Sequence, residues 1–394
     1  MSVPARFIDI HVLQSVPFAN LNRDDTNSVK TVQYGNTLRT RVSSQSWKRA
    51  IRHVFEDHIG QAALRTRRIG ERVTRELTVH RGWPTDLAQR AGGHVAAASG
   101  IKFELAKAPG DGKQTVPNKV LTNAMVYVPE VAVVELADLS EGHRDALEQA
   151  KDIKKPADKS ILPAAEVEGV LRSRNGVINL FGRMLAEIDD AAVDGAVQVA
   201  HALTTHATDI ELDYFSAVDD VTALWDDASG SGHMGHAEFS AGTFYRYATV
   251  DLRDLMTNIG DDPAAARDLT AAFLTSFITS LPQAKKNSTA PHTIPDLVHI
   301  AVRADRPLSY AAAFEEPVQA SPQGGFAALS RSRLRDYAQA ANTLLGTHAV
   351  LASGWAGLDT KDLTGLGERR ESFDALITTT LDAALTPATA KATA

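Results

Sequence analysis

The chain is 394 residues long, too long for one typical domain, and its 44% hydrophobic and 23% charged residues are those of a globular protein built from two or three units. It has no cysteine, which excludes a disulfide framework, a thiolate metal site and a cysteine nucleophile. Its net charge of -7 argues at first against nucleic acid, but no lysine or arginine lies between Arg183 and Arg246, where acids from Glu187 to Glu238 are crowded. A basic groove elsewhere is compatible with that total, because the field that steers a polyanion is local at physiological screening lengths. Asp9 interrupts the first apolar run, so the N-terminus lacks a signal-peptide pattern. The longest uncharged stretch, Tyr337 to Leu358, carries Gln339, Asn342, His348 and Ser353. The expectation is a cytoplasmic protein without a membrane span.

In chain order, Phe7 to Leu13 is rich in β-branched and aromatic residues and predicts a strand, followed by a polar loop, Asn20 to Asp25. Arg23 in that loop is either a phosphate contact or a loop arginine paired with Asp24 or Asp25. Thr37 to Val42 alternates in the strand period. Trp47, Ala50, Ile51, Val54 and Phe55 then recur at i, i+3, i+4, i+7 and i+8, the apolar face of a helix ending near His58, with Ser43 or Ser44 as N-cap. Arg39, Arg41, Lys48, Arg49 and Arg52 surround this helix start, where free N–H groups and the dipole already suit an anion. An amphipathic helix with a solvated basic face would read alike. What favours a phosphate cradle is that five cations beside a positive helix end are unfavourable unless an anion joins them.

Residues 59 to 195 turn alanine-rich with scattered Gly and Pro, and predict an inserted, largely helical region that includes the loop Ala108 to Lys113. Strand alternation returns at Val197 to Leu203 and at Phe239 to Leu252. Between them lies an acidic arm with Asp213-Tyr214-Phe215-Ser216 and the turn Ala228 to Gly235. A helix is predicted from Pro263 to Leu281, a loop with Lys285 and Lys286 next, a strand from Leu297 to Val302, and a frayed tail from Thr386.

His201, His206, His233 and His236 near Asp219 and Asp220 raise a metal site, but His201 and His206 are five apart, which suits neither adjacent helix turns nor one strand face. No metal and no cofactor is expected. A metal- or histidine-dependent ribonuclease using His201, His206, Asp219 and Asp220 stays as the alternative function. The histidines are otherwise assigned to strand packing and loop hydrogen bonds.

As an ensemble, Leu21-Asn22-Arg23-Asp24-Asp25, Arg41-Val42-Ser43-Ser44-Gln45-Ser46-Trp47-Lys48-Arg49-Ala50, Gly182-Arg183-Met184, Ala200 to His206, Phe215 to Asp220 and Glu238 to Ala248 resemble the CasC-type backbone subunit of the type I-E CRISPR Cascade complex. The blocks follow the family's order, while residues 60 to 175 and those beyond about 320 match poorly. The resemblance implies an α+β fold: a modified RNA-recognition-motif (ferredoxin-like) palm, an inserted helical fingers domain and a thumb β-hairpin. It apportions 1–58 to the palm, 59–195 to the fingers, 196–207 to a palm strand, 208–239 to the thumb and 240–394 to the rest of the palm.

It further implies a non-enzymatic scaffold that polymerises on a CRISPR RNA, typically in six copies, beside other Cascade subunits, and presents the guide for pairing with target DNA. By the same resemblance, phosphate contacts fall to Ser43, Ser44, Gln45, Lys48 and Arg49, with Arg23, Lys285 and Lys286 nearby. Arg183, Met184, Phe215 and Met234 would form the wedge that kinks the RNA. Phe239 to Val250 does not spell an aromatic RNP1 strand, so base stacking on the sheet is not expected.

Overall fold

The computed structural model describes residues 5–108, 114–217, 233–359 and 363–385. Asp219, Asp220, most of the turn before Gly235, the loop residues 109–113 and the tail from Thr386 lie outside the described residues. The chain divides into two compact units, one of residues 1–55, 197–253 and 263–394, the other of 56–196 and 254–262.

In the first unit the opening strand, Phe7–Ala19, is buried on both faces over most of its length. It lies between Leu297–Arg303 and the long strand His233–Asp251, antiparallel to both. Beyond Leu297–Arg303 come Val350–Gly357 and the two-residue strand Glu368–Arg369. On the other flank Ala202–Thr204, Thr37–Val42 and Thr31–Tyr34 extend the sheet. The central sheet with the helices Ser44–Ile59, Pro263–Thr279, Ala327–Leu345 and Phe373–Leu385 makes a mixed α+β architecture.

Because side chains alternate across a strand, the two faces of Phe7–Ala19 bury different chemistry. Ile8, Ile10 and Val12 are the apolar face, and Arg246, the register partner of Val12, carries its guanidinium 3.9 Å from the Trp47 ring centroid and 4.7 Å from that of Phe277. Its Nη1 donates to Gln14 Oε1 at 2.7 Å, and Nη2 to the Phe277 carbonyl. Asp9 and His11 are on the other face. There His11 stacks on Tyr310 at 4.0 Å and its Nδ1 meets the Tyr245 hydroxyl at 2.9 Å, while Tyr247 donates to Asp9 Oδ1 at 3.0 Å. Buried polar groups need partners, and these groups supply one another in part, His11 Nε2 and Arg246 Nε being left without a hydrogen bond.

The reading of Val197 to Leu203 as one strand is corrected to two short strands, Val197–Val199 and Ala202–Thr204. Both pair with the long strand, but in registers that differ by one residue. The extra residue is a bulge at Ala200-His201, and it turns His201 out of the sheet. The first strand also runs on to Ala19, beyond the expected Leu13.

The second unit is a helical core around Ile69, Val73, Leu77, Ala88, Val95 and Leu136. It also holds two small antiparallel ribbons, Ala63–Thr66 with Val126–Pro129 and Phe103–Lys107 with Thr115–Thr122, inside the stretch expected to be largely helical. No helix among the described residues is long and apolar enough to cross a membrane.

Burial pulls His11 and His206 below the ordinary histidine value, with neighbouring cations adding to the effect, and pulls His299 down to about 4. The unfolded chain therefore takes up protons first, and stability should fall as pH drops below about 6.5, the His299 share being lost by about pH 4. Asp9, pushed up to about 6 by burial, works oppositely between about 6 and 3.8. Three histidines against one carboxylate predict a lower urea midpoint at pH 5.5 than at pH 7.5. A midpoint that is flat or rises on acidification contradicts that balance.

Candidate nucleic-acid interface

The basic helix, Ser44–Ile59, buries Trp47, Ile51 and Phe55 on one face, as its periodicity predicts. Ser43 is the cap: its Oγ accepts the Ser46 N–H at 3.3 Å, and its own N–H donates to Asn22 Oδ1 at 2.9 Å. Strand pairing of Arg41 with Leu203 and Val42 with Ala202 brings the bulge at His201 to the helix start, where His201 Nδ1 accepts the Ser44 N–H at 2.9 Å. Arg41 Nη1 lies 3.5 Å from the same nitrogen.

Beside this start is an open cleft of about 380 Å³, lined among others by Asn22, Arg23, Asn27, Arg49, His53 and Gln283. It joins three segments distant in sequence: the polar loop, the basic helix and the loop before Lys285. Gln45 and Arg49 are exposed, and Ser44, Lys48 and Arg52 are half-buried. Arg23 does not pair with either neighbouring acid but donates to Asn27 Oδ1 at 2.9 Å. Asp24, which also lines the cleft, accepts instead from the Thr26 hydroxyl at 2.8 Å and the Ser28 N–H at 2.8 Å, and the Thr26 contact leads in holding it below the usual carboxylate value. Lys285, in a left-handed conformation at φ 53°, sets its ammonium 5.3 Å from the Phe239 ring centroid, whereas Lys286 is exposed.

Two arginines expected to meet RNA, Arg39 at the phosphate cradle and Arg183 at the wedge, are buried instead. Arg39 is fully buried, its Nη1 donating to the Thr204 carbonyl at 3.0 Å and its Nη2 to those of Phe314 at 3.0 Å and Glu315 at 3.2 Å. Arg183, in the second unit, donates to the carbonyls of Ala191, Tyr127, Leu171, Ser173 and Arg172 at 2.7 to 3.2 Å. Burial lowers its pKa to about 10, so it stays charged at neutral pH. Buried guanidiniums whose terminal nitrogens are bonded to internal carbonyls are out of reach of a phosphate, and both act as structural staples.

Met184, next in the chain, is 92% exposed. The turn before it needs Gly182, at φ 80°, because a Cβ there would stand 2.7 Å from the Gly195 nitrogen. Met184 is therefore no part of the core.

The arm is a two-stranded ribbon of Glu211–Ala217 with His233–Phe239, every residue of the first strand exposed. Cross-strand partners share a face, so Phe215, opposite Gly235, is on one face, and Met234, opposite Ser216, is on the other with Tyr214 and His236. The grouping of Phe215 with Met234 on one wedge is thus corrected. Phe215 is 47% exposed, its ring covering Gly235 so closely that a Cβ there would meet Cζ at 2.5 Å. Tyr214 and Met234 are 74% and 75% exposed.

His206 is buried, with Nδ1 on the Ala207 carbonyl at 2.7 Å and Nε2 accepting the Thr243 N–H at 3.1 Å. Both nitrogens being taken, it has no lone pair for a metal. Among the described residues no group of three or more His, Asp or Glu side chains could hold one.

The model of the family described as CT1975-like protein matches residues 8–379. The chain belongs to that family, the CasC-type Cascade backbone subunits. A solved chain titled "CRISPR RNA-guided surveillance complex, pre-nicking" is 44% identical over 96% of this chain and 100% of its own, with a TM-score of 0.85. Another, titled "CRISPR RNA-guided surveillance complex", is 40% identical over 96% of this chain and 99% of its own, with a TM-score of 0.77. No curated protein matches.

Losing a buried, multiply bonded guanidinium strands the carbonyls it served. Arg39→Ala and Arg183→Ala should each destabilise the fold by about 3 kcal/mol or more. Thermal unfolding checks this, and wild-type melting of either variant would return that arginine to the candidate contacts.

Proposed function

We propose that the chain is the CRISPR RNA-binding backbone subunit of a type I-E Cascade surveillance complex. In this reading the first unit supplies an RNA-recognition-motif-like palm and a thumb, and the second unit the fingers. Several copies, typically six, polymerise along one guide RNA in the cytoplasm, contact other Cascade subunits and present the guide for pairing with target DNA in antiviral defence. The chain acts as a scaffold and not as an enzyme. The observation that carries the reading is the cleft where Arg23, Arg49 and the Gln283 loop converge beside the capped start of the basic helix. Such a site suits phosphate, which is common to every guide, and leaves sequence to base pairing.

The arm has a different part. Carrying no cation, it must act by apolar contact. Phe215 is the better platform for a displaced base: one side of its ring rests on Gly235, so little freedom is lost on stacking. Met184 is the second exposed wedge, anchored through its buried neighbour Arg183.

Lys48→Ala and Arg49→Ala should weaken binding equally for RNAs of unrelated sequence and lower the slope of log affinity against log salt by roughly one unit or less each. Loss confined to one sequence, at unchanged slope, contradicts phosphate contact. Chelator-sensitive cleavage of labelled RNA contradicts the scaffold.

A fluorescent base analogue moved along the guide should report unstacking at a fixed interval. Phe215→Ser should blunt that signal, and Gly235→Ala, which dislodges the ring, should do the same, while Met234→Ser and the salt slope stay near wild type. Blunting by Met234→Ser alone would move the base contact to the opposite face of the ribbon.

A further inference from the structure

His201 is exposed, yet one of its nitrogens is committed. The Ser44 amide can only donate, so Nδ1, which receives it at 2.9 Å, must be the unprotonated nitrogen. The proton of the neutral ring is then on Nε2, the nitrogen that the Ser44 amide does not occupy. Charging the ring would require a proton on the nitrogen already facing the Ser44 N–H and the Arg41 guanidinium. Desolvation, and next Arg41, accordingly hold the imidazole below its ordinary pKa. The bulge after Val199 is what presents this ring at the helix start, since a regular strand there would keep the residue in the sheet. The result is a neutral N–H donor of fixed direction beside Arg41, at the end of the helix that favours anions.

We propose that His201 is an RNA-contacting residue, a neutral imidazole locked in one tautomer by Ser44 that donates its Nε2–H to a phosphate oxygen of the bound RNA. This rests on the RNA-binding reading of the same cradle. Its part differs from that of the lysines and arginines: a neutral donor sets where the phosphate lies without displacing a counterion.

Two substitutions separate contact from support. His201→Asn keeps an acceptor near the Nδ1 position and lacks the Nε2 donor; His201→Gln reaches the Nε2 position with an amide N–H and takes the acceptor from Ser44. The expected result is that His201→Asn melts like wild type, keeps the salt slope and binds RNA about fivefold more weakly, as for one neutral hydrogen bond. His201→Gln should retain more affinity at some cost in melting temperature. The reverse order, with Asn binding as wild type and Gln weakened, makes His201 a helix cap only and overturns the proposal.

Nitrogen-15 spectra of the wild-type imidazole decide the matter even if a variant misfolds. Nε2 should carry the proton in the free chain and shift when RNA is added, and a ring protonated at Nδ1, or an Nε2 signal indifferent to RNA, overturns the proposal. If wild-type chain shows no salt-dependent RNA binding, the cradle reading itself fails and this one with it. If that binding and its loss in Lys48→Ala are intact while His201→Asn is silent, only the histidine contact fails.

Discussion

The candidate site at the helix start depends on a buried guanidinium. Arg39 joins three pieces of chain that have no local reason to meet: the strand Thr37–Val42 that carries it, the Thr204 carbonyl of the neighbouring strand, and the turn at Phe314 and Glu315. Thr40 strengthens the same seam, its N–H donating to Thr204 Oγ1 at 3.2 Å. Everything at the helix start follows from that seam. Once Thr37–Val42 is held against Ala202–Thr204, Arg41 and Ser44 face His201, and the helix can only begin where Asn22 and Ser43 close its first turn.

Arginine is suited to such work because its planar fork offers five donors and is weakly hydrated, so several carbonyls can share one cation at a lower desolvation cost than an ammonium would carry. Arg183 and Arg246 are used in the same way, the first caged by five carbonyls and the second sandwiched between Trp47 and Phe277. The division of labour is then physical. Cations inside hold loops and strands in place, and those at the rim of the cleft, Arg23 and Arg49, keep donors toward solvent.

The arm obeys another constraint. A ribbon whose first strand is exposed throughout, with only Ala237 and Phe239 of the second buried, has little core of its own, and its shape comes from ladder hydrogen bonds and cross-strand pairs such as Phe215 over Gly235. Acid along it repels a polyanion, so in the proposed reading its aromatic and methionine side chains are what remain for contact.

Much of the local structure could be read from residue order. The helix face of Trp47, Ile51 and Phe55, the cap at Ser43, the strand Leu297–Arg303 and the segregation of acid all depend on interactions within a few residues, and periodicity or composition records those directly. Family resemblance added the grouping of blocks that no periodicity relates. What residue order could not decide was which of several like residues face inward. Arg39 and Arg41 differ by one strand period in sequence and by burial in the fold, because the carbonyls that take Arg39 come from chain far beyond it. Arg183 and Met184 are adjacent, and the cage formed by Tyr127, Leu171 and Ala191 takes one and leaves the other out. The bulge that exposes His201 is a mismatch of register between two strands, and the sides taken by Phe215 and Met234 follow from a pairing across the turn. Burial, register and partner carbonyls belong to pairs of segments, so only the tertiary structure could decide them.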